Sequence, residues 1–177
     1  MRLLTKDFEE RGVPRLAEAV SAAGGAVGSG GGAILDEFSQ ILGDFAASAR
    51  ELRTKLSRDV FRTVWTSCAS SMSTLLFNRA ALGVAHDEEA VETFRNVVSL
   101  CSSAIGEYTN RPRSYFKIPM EACEILSLGQ DQGQSLVQQM SAMKESESAV
   151  MLRETQRIHA LTPFQVAQVV SSRDFSR

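Results

Sequence analysis

From Ile34 onward, apolar residues return every three or four positions. Ile34, Phe38, Ile41, Phe45, Ala49, Leu52 and Leu56 form one stripe, with Asp36, Glu37, Gln40 and Asp44 on other faces. That period predicts a long amphipathic helix with one buried side. Val60, Phe61, Val64, Trp65, Cys68, Met72, Leu75 and Leu76 line a broader face, suited to a helix covered on more than one side. Gly83 marks its expected end. Asp87-Glu88-Glu89 opens a third helix, because carboxylates at a helix start complement its dipole. Val91, Phe94, Val97, Val98, Cys101, Ile105 and Tyr108 give that helix its core face, and Asn110-Arg111-Pro112 ends it. A shorter helix is expected from Arg113 to Leu128, closed by Gly129. Pro119 lies inside it and, lacking an amide donor, should kink it or split it in two. Sparse apolar marks at Leu136, Val137, Met140, Met143, Val150, Met151, Leu152 and Ile158 predict two helices with a joint near 144–148. Thr162-Pro163-Phe164-Gln165 reads as a capping box with proline in the first turn. The final helix packs through Phe164, Val166, Val169 and Val170 and ends at Arg173. No period-two alternation interrupts this sequence of helices, so the expected fold class is all-α, a helical bundle.

Ahead of the bundle, residues 1–23 read as a short helical segment restarted at Gly12-Val13-Pro14. Six glycines then fall within residues 24–32, the composition of a flexible linker. Glycines before a helix suggest a phosphate cradle only when a strand leads in and Lys-Ser/Thr follows, and neither is present. The chain therefore divides into 1–32, a helical segment with its linker, and 33–177, the bundle.

Composition narrows the function. A net charge of −2 gives no reason to expect nucleic acid. No run of about 18 apolar residues exists, so membrane association is expected only through partners. Cys68, Cys101 and Cys123 are odd in number and widely spaced, which fits neither a disulfide framework nor a zinc site. They point to a reducing compartment, with Cys68 and Cys101 on apolar stripes as core residues. Cys123 sits beside Glu121 and Glu124, which oppose thiolate formation. His86 and His159 have no second ligand at metal spacing. With no serine elbow and no clustered carboxylates, the expectation is a non-enzyme without metal, cofactor or small-molecule substrate. Arg50, Arg53, Lys55, Arg58 and Arg62 form the main basic stretch. Glu51 and Asp59 are mixed into it, so it reads as a solvated face, with contact to anionic lipid or an acidic partner as the alternative.

One block is distinctive: Asn110-Arg111-Pro112-Arg113-Ser114-Tyr115-Phe116-Lys117, followed by Glu121-Ala122-Cys123-Glu124-Ile125-Leu126-Ser127-Leu128. It resembles the C-terminal region of the RINT/TIP family, tethering subunits of the Dsl-type complex at the endoplasmic reticulum. Leu75-Leu76-Phe77-Asn78 upstream and His159-Ala160-Leu161-Thr162 downstream extend the likeness over residues 50–175 or so. The resemblance implies a bundle like the C-terminal part of a helical-rod tethering subunit. It implies a role in Golgi-to-endoplasmic-reticulum retrograde transport, in the cytoplasm and peripheral on the endoplasmic reticulum membrane. Its partners would be a SNARE regulatory domain or sister subunits of the tether. The family's members are much longer, so the chain would correspond to the last bundle, without the N-terminal part that docks onto the partner subunit. Pro112, Tyr115, Phe116, Glu121, Ala122, Cys123 and Leu126 are expected to pack the bundle, and Arg111, Arg113 and Lys117 to be the exposed contacts. A cargo-adaptor bundle like the myosin globular tail is the competing reading of the fold class, and the Arg-Pro-x-x-Tyr-Phe block argues against it.

Overall fold

The computed structural model describes residues 31–83 and 88–172. The expectations for residues 1–23 and most of the glycine run, and for His86, Asp87 and Arg173, fall outside them. Among the described residues the chain forms seven α-helices and no strand: α1 (Gly31–Lys55), α2 (Arg58–Leu75), α3 (Glu88–Ala104), α4 (Lys117–Ser127), α5 (Gln130–Ser141), α6 (Glu145–Thr155) and α7 (Pro163–Ser171). α1 starts within the last glycines of the run, at Gly31.

Helices α1 and α3 form the most extensive helix pair, and α2 packs against α1. α4 is the centre of the molecule, touching α2 and α3 on one side and α7 on the other. α5 and α6 cover the far side of α7. One continuous core runs through all seven helices, from Phe38, Leu42 and Phe45 on α1 to Val166, Val169 and Val170 on α7. Phe94, Val97 and Cys101 on α3 and Ala122 on α4 have no exposed surface.

The hydrophobic pattern leaves open whether the first two stripes share one helix; the chain breaks at Leu56 and Ser57, and Leu56 still donates its amide to the Leu52 carbonyl at 2.9 Å. α2 does not end abruptly at Gly83. Its α-geometry stops at Leu75, a π turn follows over Leu76–Ala80, and a 3-10 turn over Ala81–Gly83 completes the path. The π turn lets the Ala81 amide reach the Leu76 carbonyl while Leu76, Phe77 and Ala81 all stay buried.

The structure corrects further sequence expectations. Val60 is 51% exposed: it adjoins Phe61 in the first turn of α2, and a step of one residue rotates it off the buried face. Phe164 is 69% exposed, because α7 buries Val166, Val169 and Val170, and a residue two places before Val166 faces the opposite way. Pro119 neither kinks nor splits a helix. It occupies the first turn of α4, where an amide has no partner to lose, and the split comes earlier. A 3-10 turn spans Pro112–Tyr115 and α4 begins after Phe116. Gly129, rather than closing α4, is the N-cap of α5 in extended conformation. α3 also stops at Ala104, with Ile105 to Tyr108 in turns that keep Ile105 buried.

Local polar contacts add to the core in the C-terminal half. The Ser148 hydroxyl, fully buried on α6, lies 3.1 Å from both the Met140 and Lys144 carbonyls and so covers the end of α5. Arg157 turns the chain with φ 57°, a left-handed conformation, which brings the Ile158 amide to the Leu152 carbonyl at 3.0 Å. The capping box is formed as expected. The Gln165 amide donates to Thr162 Oγ1 at 3.2 Å, and the Thr162 amide to Gln165 Oε1 at 2.9 Å.

Candidate functional site

The C-terminal end of α1, the N-terminal end of α2 and the 106–115 connection converge on one cleft of about 730 Å³. Aromatic residues build its inner wall. Phe61 and Trp65 are one helical turn apart on α2 and both are 7% exposed. Tyr108 leans on them, with ring centroids 5.3 Å from Phe61 at 73° and 6.3 Å from Trp65. Tyr115 meets the other edge of Trp65 at 5.2 Å and 64°. Edge-on pairs at these separations are the favoured arrangement for aromatic rings. Tyr108 also donates its hydroxyl to the Ala46 carbonyl at 3.4 Å, tying the connection to α1. Burial first, then the Glu107 carboxylate, push that hydroxyl above its usual titration range.

The rim is basic. Arg53, Arg58, Arg62 and Arg111 line it, against the carboxylates of Asp59 and Glu107. Glu107 is engaged by Arg50, Nε to Oε2 at 3.3 Å. The four rim guanidiniums have no carboxylate within ion-pair distance among the described residues. Ser57, the N-cap of α2, caps no amide with its side chain, and Asp59 supplies an acidic side chain in that helix's first turn. The 3-10 turn fixes Arg111: the Ser114 amide and hydroxyl both donate to its carbonyl, at 3.1 and 2.7 Å, and its own amide donates to Thr109 Oγ1 at 3.2 Å.

The structure thus splits and regroups the residues expected from sequence. From the basic stretch, Arg53, Arg58 and Arg62 reach the cleft. Lys55 instead pairs with Glu51 on the same helix, which holds the Glu51 carboxyl below its usual range, and Arg50 pairs with Glu107. From the Arg-Pro block, Arg111 joins the same rim. Arg113 and Lys117 are exposed but do not line the cleft. The aromatic wall was legible only as core, since Phe61, Trp65 and Tyr108 fall on apolar stripes and nothing in local spacing brings Tyr115 to them.

The remaining motif residues are packing residues. Phe116 and Ala122 are fully buried, Cys123 and Leu126 nearly so, and Pro112 is half-buried as the first residue of the 3-10 turn. Glu121 makes a specific latch. Its carboxylate accepts the amides of three consecutive residues, His159 at 3.0 Å, Ala160 at 3.0 and 2.8 Å, and Leu161 at 2.9 Å. This secures the turn before α7 onto α4.

All three cysteines are free and buried. Burial pushes the Cys123 thiol up to about 12, opposed by Arg95 and aided by Glu124, and raises Cys68 and Cys101 as well. Raised values favour the protonated folded state, so this contribution to stability is complete below pH 9 and declines as pH rises toward 12. At pH 9 an alkylating reagent is expected to leave Cys101 and Cys123 unmodified in the native chain and to label both in denaturant, as counted by mass spectrometry. Native labelling of either would show that the core opens readily. His159 is exposed, and no group of three or more metal-ligating side chains is found among the described residues. No helix among them is long and apolar enough to cross a membrane.

No family model, curated protein or solved structure matches the chain.

Proposed function

We propose that this chain is a non-catalytic docking module of a vesicle tether, acting in Golgi-to-endoplasmic-reticulum retrograde transport and holding a SNARE regulatory domain or a sister subunit. Its place would be the cytoplasmic face of the endoplasmic reticulum, reached through those partners. The observation that carries the reading is the double role of the Arg-Pro block. The residues that resemble the RINT/TIP family build the central α4 joint, and the same segment forms one wall of a basic, aromatic cleft. A rigid wall of packed aromatics with unpaired charges at its edge suits recognition of a partner's surface. A membrane-contact reading is less well served. Of the five residues in the basic stretch two are occupied by carboxylates and three border a concavity, whereas a bilayer presents a broad flat surface.

Direct binding tests the proposal. The purified chain, shown helical by circular dichroism, is titrated with the cytosolic domains of endoplasmic-reticulum SNAREs and of an endosomal SNARE. Saturable binding selective for the former is expected. A folded chain that binds neither, alone or with the tether's other subunits present, would overturn the tether reading.

A further inference from the structure

We infer that the cleft between α1, α2 and the 106–115 connection binds an acidic segment of a partner protein, with carboxylates on the arginine rim and an aromatic side chain against the tyrosines. The inference rests on the docking-module reading and adds the chemistry of the docked element.

Three features argue for this occupant. The first is charge. Four guanidiniums meet two carboxylates, and one of those, Glu107, is already held by Arg50. The rim therefore carries unspent positive charge, although the chain as a whole is at −2. Guanidinium groups bind carboxylates in a planar, two-point fashion, which favours them over lysines for this task. The second is shape. A cleft of about 730 Å³ falls within the range of sites that take several side chains. The third is rigidity. Trp65 and Phe61 are locked in the core, and Tyr108 and Tyr115 are half-buried against them, so aromatic surface is presented without the entropy cost of ordering it.

The molecule supplies its own reporter. Trp65 is the single tryptophan of the chain and it lines the cleft. Its emission is followed while the full chain is titrated with a short peptide carrying Glu-Glu-Phe-Asp-Glu. The same titration is made with Gln-Gln-Phe-Asn-Gln, and with phosphatidylserine-containing vesicles. A saturable change with the acidic peptide, absent with the amide peptide and weakened by salt, is expected. The double variant Arg62→Glu/Arg111→Glu should weaken binding by about tenfold or more, since reversed charges at two rim positions repel the acidic segment. Arg113→Glu, outside the cleft, should leave it within about twofold, as expected of an exposed charge remote from the ligand.

An unchanged Trp65 signal at millimolar acidic peptide would overturn the inference, as would a response to vesicles alone or one indifferent to the double reversal. The chain's own Asp7-Phe8-Glu9-Glu10 has the same chemistry. Peptide binding that appears only after Asp7, Glu9 and Glu10 are changed to their amides would assign the cleft to that segment and overturn a partner. The two readings separate cleanly. SNARE binding unaffected by Arg62→Glu/Arg111→Glu would remove the inference and keep the tether, while peptide binding without SNARE binding would do the reverse.

Discussion

Replacing Phe116 by alanine should cost about 3–5 kcal/mol of folding stability, the range for truncating a fully buried aromatic. Phe116 has no exposed surface, and it sits where the 3-10 turn gives way to α4. Its amide donates to the Arg113 carbonyl at 3.2 Å, and its carbonyl accepts the Met120 amide at 3.0 Å. These main-chain bonds remain in the alanine variant and hold the junction in place, which limits how far the neighbours can collapse into the gap. A domain of this size is stable by about 5–15 kcal/mol in total, so the loss is a large fraction of what is available. Urea unfolding followed by circular dichroism should show a lower midpoint with an unchanged slope. A loss below about 1 kcal/mol would mean that the core closes over the missing ring, well short of the usual penalty. The adjoining Tyr115 stands edge-on to Trp65, so the same variant should also loosen one wall of the cleft.

Local signals are legible in the sequence. Thr162, Pro163 and Gln165 lie within four residues, and their cap forms as the spacing predicts. The stripes on α1 and α3 likewise place Phe38, Phe45, Phe94 and Cys101 in the core, because helical period alone fixes which side is apolar. Sequence pattern and structure part where a residue's meaning depends on its neighbours in space or on the exact helix start. Pro119 is disruptive in mid-helix and harmless in a first turn, and the start of α4 at Lys117 decides which applies. Val60 and Phe164 are apolar, but one or two residues of rotation put them in solvent. The cleft was not legible at all as a unit. Arg62 and Arg111 are far apart along the chain, and no periodicity encodes that a turn after α3 folds back onto the start of α2.

Glu121 shows the same division between local and distant information, and its substitution is the second large effect expected. Sequence placed it in the distinctive block, while its partners lie 38 to 40 residues further on. Glu121→Gln keeps the shape but exchanges one carboxylate oxygen for an amide nitrogen, which faces N–H groups it cannot accept. Hydrogen bonds to a charged acceptor contribute about 1.5–3 kcal/mol each, and amides left without a partner add their own penalty. Because the side chain is half-buried, water can take up part of the loss, and about 2–4 kcal/mol is expected. The effect should be focused. Hydrogen exchange at the amides of His159, Ala160 and Leu161 should accelerate, and with it exchange across α7, which reaches α4 beside this latch. The α1–α3 pair should keep its protection under native conditions, since none of its contacts passes through Glu121. Unchanged exchange at the three amides would show that the turn before α7 is held by the packing of Ile158 and Leu161 alone. The carboxylate would then be a surface group that happens to lie close. Acceleration confined to this region would instead identify α7 as a separately opening unit, whose packing in the core is reinforced by one acidic side chain.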